Sequence, residues 1–378
     1  MNIKHLARKL ILPATLIGAT LFAQKAYSQD EFDESNRPKK EAKKSPSLSE
    51  DESNVASHLD KLLDGYLRFE GHGSPSERGF DGSAGIRFNT GDWKPAIYLR
   101  SGSTLYDGGD GEDTNVVSTA VIAELSTYLK KGKDFELFFA PHIGFEYDKF
   151  SKSIDMDASR AIVGAQIGMA SQESGSRLLV SLDGGFGTYD SEFLSGFKND
   201  GSYRTLFAGV EGRQRLWSND KQAVDDKSEF TLSRELGYEF KKSLYASLEM
   251  FLRDDKLGDL QDAQGMGFRF SLPYVINMRE HKKDAKGNIY GEGMLWEFTP
   301  FIQDEVYKTT SDLSLRETRS NALTVGIHAR AQFTRAIGVY GEAGYQWYTL
   351  DTKDPGQGID SKDGKNGLEF KIGGELRF

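Results

Sequence analysis

The 378-residue chain contains no cysteine. That excludes disulfides, thiolate metal sites and a lipid-modified cysteine anchor. Histidine is almost as scarce, at six residues, so there are few candidates for acid–base chemistry. Beyond residue 28 no apolar run approaches the roughly 18 residues that a membrane-spanning helix needs. Apolar residues make up only 38% of the chain. A content that low suggests disorder, but 16 Tyr and 24 Phe contradict it. A chain that is hydrophilic overall, aromatic-rich and supplied with 41 Gly suits strands with one wet and one apolar face.

The N-terminus places the chain outside the cytoplasm. Lys4, Arg8 and Lys9 precede an apolar run from Leu10 to Phe22, and Ala26-Tyr27-Ser28 puts small residues at the cleavage positions. This is the pattern of a secretory signal peptide, expected to span residues 1–28. Its loss, with Lys4, Arg8, Lys9 and Lys25, takes the net charge from −9 to −13. A balance that acidic speaks against nucleic acid as a partner. Residues 29–58 mix Asp30-Glu31, Lys39-Lys40, Lys43-Lys44 and Glu50-Asp51-Glu52 with almost no aromatics. They cannot bury a core and are expected to be a flexible segment, with a short helix beginning near Asn54.

From Leu63 onward the pattern has period two, and the strand-built unit is taken to span residues 59–378. Leu67 and Phe69 alternate with Arg68; Ile86 and Phe88 with Arg87; Ile97 and Leu99 with Arg100. Val121, Ala123 and Leu125 oppose Glu124, while Phe139, Ile143 and Phe145 oppose Glu136, His142 and Glu146. Ala161 and Val163 oppose Arg160, Leu182 opposes Asp183, and Ala208 and Val210 oppose Glu211, Arg213 and Arg215. Later, Leu248 and Met250 oppose Glu249, Phe268 and Phe270 oppose Arg269, and Trp296 and Phe298 oppose Glu297. Val325 and Ile327 oppose His328 and Arg330, and Val339 and Ala343 oppose Glu342. Pro141, Pro273 and Pro300 interrupt three of these strands, each removing a ladder donor.

The last strand is the sharpest case. Leu368, Phe370, Ile372, Gly374, Leu376 and Phe378 share one face; Glu369, Lys371, Gly373, Glu375 and Arg377 share the other. This ending resembles the C-terminal strand of Gram-negative outer-membrane β-barrels, which closes on a terminal Phe. The resemblance covers about a dozen residues and implies that Phe378 is read by the barrel-assembly machinery. It implies an all-β fold, a transmembrane antiparallel barrel with short periplasmic turns and longer outer loops. Fourteen strands are counted. Asn89–Asp92, Lys130–Lys133 and Ser171–Ser176 serve as short turns, and Gly71–Gly79, Asp148–Ser159, Thr188–Gly201 and Asp351–Lys365 as long loops. Ser218–Ser243 is taken as one long connection. Sixteen strands would need additional strands there and near Met278–Asn288.

The inward charges are expected to line a pore: Arg68, Arg87, Arg100, Glu124, Glu136, Glu146, Arg160, Asp183, Glu211, Arg213, Glu249, Arg269, Glu297, Arg330, Glu342 and Lys371, with His142 and His328. Their signs nearly cancel, so a weakly selective porin for small hydrophilic solutes is the expectation. The alternatives are a barrel hydrolase, for which no nucleophile motif is visible, and an adhesin or structural barrel. No cofactor or metal is expected. The acidic stretch Asp107–Asp113 lacks the spacing of a calcium loop. Expected partners are outer-membrane lipid and lipopolysaccharide, the assembly machinery, small polar solutes and, as one option, further copies in a homo-oligomer.

Overall fold

The computed structural model describes residues 63–74, 77–88, 93–106, 114–131, 136–152, 155–171, 174–192, 198–221, 240–258, 261–278, 280–283, 289–292, 294–311, 316–333, 337–355 and 358–377. The expected signal peptide, the charged segment with its helix, the Asp107–Asp113 stretch and Phe378 lie outside them. Among the described residues every element is a strand. The series runs β1 (Leu63–Gly73), β2 (Glu77–Phe88), β3 (Trp93–Tyr106), β4 (Thr114–Lys131), β5 (Glu136–Lys152), β6 (Asp155–Ser171), β7 (Ser176–Glu192) and β8 (Lys198–Lys221). It continues with β9 (Phe240–Leu257), β10 (Gln261–Ser271), β11 (Tyr274–Asn277), β12 (Glu280–Lys283), β13 (Ile289–Glu292), β14 (Leu295–Ser311), β15 (Glu317–Gln332), β16 (Ile337–Asp354) and β17 (Ile359–Arg377).

Around the wall each strand pairs antiparallel with the next, and the sheet closes where β1 meets β17, from Tyr66↔Arg377 to Gly73↔Phe370. Closure leaves no edge inside an apolar medium, where an unpaired backbone group costs several kcal/mol. The β10 and β11 segments form one wall strand. Both pair with β9 and with β14, and Ser271↔Phe301 and Tyr274↔Phe298 keep the same register. Between them Leu272 N–H donates to the Pro300 carbonyl (3.0 Å), and the Pro273 carbonyl accepts from Tyr245 N–H (2.9 Å). Pro273 lacks only its own donor, so the ladder is nicked without changing course. Pro141 and Pro300 sit in unbroken strands. The wall therefore has fourteen strands, as counted from the sequence.

The sixteen-strand alternative falls, and the bounds of the connections change. The Met278–Asn288 region adds no wall strand. β12 and β13 pair only with each other, Glu280↔Glu292 to Lys283↔Ile289, and Met278 N–H donates to the Met294 carbonyl (3.0 Å). The hairpin of β11 and β14 thus continues past the rim where β1 begins and β17 ends. The outer loops are also shorter than expected, because the strands run on. β7 reaches Glu192 and β8 starts at Lys198; β16 reaches Asp354 and β17 starts at Ile359. Apolar alternation stops where lipid would stop, whereas ladder hydrogen bonds continue in water. The connection assigned to Ser218–Ser243 likewise shrinks at both ends, to the span between Lys221 and Phe240.

Following the registers around the barrel gives a stagger of about sixteen residues. With fourteen strands about 4.8 Å apart, that corresponds to a tilt of about 40° and a backbone radius of about 14 Å. The far rim is uneven. β17 pairs with β16 up to Asp354↔Ile359, but β1 stops at Gly73, opposite Phe370, so that among the described residues 359–369 are paired on one side only.

Candidate pore and its charged lining

The two faces of the wall separate cleanly. Val325, Ile327, Leu252, Phe186 and Phe370 are among many large apolar side chains that stand exposed on one face. Leu252 is 59% exposed and Phe186 63%, values that would be untenable in water over so wide a belt. The other face carries ion pairs that jump over strands. Arg269 on β10 reaches Glu342 on β16 (Nη2–Oε2 2.6 Å), passing β14 and β15. Only the concave side of a closed sheet allows that reach, so the charged face is the lumen.

Most of the sequence-selected residues meet there in local groups. Arg68 donates to Glu70 (2.8 Å) and to the Tyr340 hydroxyl (2.8 Å). Arg87 contacts Glu124 (3.4 Å) and Tyr98 (3.0 Å). Arg160 donates through Nε to Glu146 (2.6 Å) and also bonds the Tyr203 hydroxyl. Arg177 pairs with Glu211. His142 Nε2 lies 2.8 Å from Asp183. The largest group surrounds Glu342, which holds Arg269, Lys371 (3.4 Å) and His328 (3.6 Å). Arg330 lies 3.8 Å from Glu375. Glu297 accepts from the Thr299 hydroxyl (3.0 Å). Arg213 lies over the Tyr245 ring, 4.0 Å from its centroid, and Glu136 is buried. Arg100 stands apart, 72% exposed and 3.9 Å from Asp81.

Sequence reading missed several members. Asp81, Tyr203 and Asp255 take part in these groups without having been placed on the inward face, and Glu70, Tyr98, Tyr340 and Glu375, which alternation does put on that face, join them although they were not counted as pore-lining. His72, expected in an outer loop, instead lies in β1, 3.6 Å from Asp81, and with Glu70 forms a His/Asp/Glu cluster. Another missed set is aromatic. Phe207 and Phe251 occupy lumen positions between apolar neighbours, which hides them in a periodicity count, and Tyr307 joins them from β14. Phe207 and Phe251 are stacked at 6.4 Å between centroids, and Phe251 and Tyr307 lie 6.3 Å apart. A Cβ added to Gly267 would come within 2.5 Å of the Phe251 ring, and one on Gly265 within 2.5 Å of Tyr307. These rings lie flat in notches that only glycine leaves open.

No family model matches the chain, and its sequence matches no curated protein. Among solved structures it is similar to outer-membrane barrels. The translocator domain of the autotransporter NalP from Neisseria meningitidis aligns at 14% identity and a TM-score of 0.38, covering 97% of this chain and 99% of that one. The toluene transporter TbuX of Ralstonia pickettii aligns at 8% and 0.38, covering 84% and 90%. The monoaromatic hydrocarbon channel CymD aligns at 6% and 0.40, covering 84% and 88%. At such identities and scores, nothing about function is drawn from them.

Proposed function

We propose that the protein is an outer-membrane channel through which small hydrophilic solutes diffuse passively with weak selectivity. The observation that carries this reading is the way the inward charges are satisfied. Arg87–Glu124, Arg160–Glu146, Arg177–Glu211 and Arg330–Glu375 each join strands one or two steps apart. Even Arg269–Glu342 follows the wall. Pairs that hug a wall of about 14 Å radius leave room along the axis, since side chains extend only about 6–7 Å inward. Cations and anions are mixed around the lumen, which supports weak selectivity. The exposed apolar belt supports residence in a bilayer, with lipid and lipopolysaccharide as its surroundings. The rim where β1 begins, β17 ends and the β12–β13 hairpin extends would face the periplasm.

Planar-bilayer recording of the refolded protein tests this. Discrete openings with small reversal potentials in a salt gradient are expected, and a folded, inserted but silent protein would overturn the reading. The His142–Asp183 pair is the arrangement a hydrolase would use. Ester- or peptide-cleaving activity lost in His142→Ala would replace the channel with an enzyme.

A further inference from the structure

The aromatic strip and the acids beside it form a site of their own. A cavity of about 270 Å³ opens on the lumen wall, bounded by Phe207, Phe251, Glu249, Glu305, Arg269 and Gln303. Tyr307 extends its aromatic side. Because Gly265 and Gly267 of β10 lack side chains, the rings from β9 and β14 close over that strand with their faces presented to the lumen. A ring face carries negative potential and attracts cations.

The charges at this place do not cancel as they do elsewhere. Arg269 turns away to Glu342, and Glu211 is taken by Arg177. Arg253, beside Phe207 in register, is held by Asp255 (Nε–Oδ2 2.5 Å). Among the described residues Glu249 has no ion pair, although it stands directly opposite Glu211. Glu305 receives only the Gln303 amide (2.7 Å). Two carboxylates without an ion pair among the described residues are therefore left beside a strip of aromatic faces, and Glu249 has a like charge, Glu211, directly opposite it in register, a placement that favours a cation nearby.

We infer that this pocket is a binding subsite for small organic cations, with the ammonium or guanidinium group between Glu249 and Glu305 and the apolar part on Phe251 and Tyr307. The inference rests on the channel reading only in supposing that solutes reach the lumen, and equilibrium binding tests it without conduction. Benzyltrimethylammonium is titrated into the refolded protein in detergent micelles and followed by calorimetry, with benzenesulfonate and maltose as comparisons. The cation is expected to bind and the sulfonate is not. Glu249→Gln with Glu305→Gln should weaken binding about tenfold, and Phe251→Leu about fivefold, in proportion to a partly desolvated cation–π contact. Heat-modifiability establishes that each variant is folded.

Binding of maltose or the sulfonate as tight as that of the cation would overturn the inference, as would a folded Glu249→Gln, Glu305→Gln variant with unchanged affinity. In bilayers, cation block of the open current should disappear in the same variants. A protein that conducts but binds no cation refutes the subsite and leaves the channel. One that binds yet never conducts refutes the channel and leaves the subsite.

Discussion

Replacing Val325 by Arg gives the most direct check on which face of the wall meets lipid. Val325 is 46% exposed, lies in mid-β15, and is flanked in register by Ile302 and Tyr345 on the apolar face. An Arg at mid-membrane on a lipid-facing strand costs about 2–4 kcal/mol, which lowers the folded-to-unfolded ratio roughly 30- to 1000-fold. Arg330, five residues along the same strand, faces the lumen 3.8 Å from Glu375. Arg330→Leu gives up one loose ion pair, worth about 1 kcal/mol. Denaturant titration of both variants in vesicles, read by tryptophan fluorescence, should separate them by about 1–3 kcal/mol in stability. The order of effects matters more than either value. If Arg330→Leu were the severe change and Val325→Arg the mild one, the register would be off by one residue and the charged face would look at lipid.

Other outcomes follow from the same geometry. Glu342→Gln leaves Arg269, Lys371 and His328 around a neutral amide, so reversal potentials should move toward anion preference; no movement would mean that this group does not sense the ion path. Replacing residues 279–293 with a tight turn should leave insertion and heat-modifiability intact, since β12 and β13 pair only with each other. Loss of the folded band would show that the hairpin supports the wall. Deleting Phe378 should lower the yield of inserted barrel in cells while spontaneous refolding into detergent proceeds; equal cellular yields would remove its assembly role.

Much of the wall was legible in the sequence because a two-sided strand in lipid writes itself as alternation, and Leu368–Phe378 shows it in one line. Strand ends were less legible. Lys149 and Phe150 of β5, or Asp351 to Asp354 of β16, carry no lipid-period signal although their ladders continue. Bulges escaped too: the register shifts between Arg215 and Trp217, leaving Leu216 and Trp217 both exposed. Partner choice in the lumen was out of reach. That Arg269 finds Glu342 rather than Glu249, its neighbour in register, depends on stagger and curvature, neither of which a linear pattern records. The aromatic strip was lost for the opposite reason, since Phe207 and Phe251 look apolar among apolar neighbours.

The half-paired stretch 359–369 of β17 has a consequence for crowding. A bare row of backbone donors and acceptors is a template onto which any passing strand can add, and crowded copies of a barrel would meet edge to edge. Along this row stand Asp360, Lys362 and Asp363, and a docking strand would have to bring its own backbone past charges of both signs. Where β1 takes over at Phe370, the row is already covered. The chain thus places charge along the strand length that no described residue covers, which makes addition of a second strand there unfavourable.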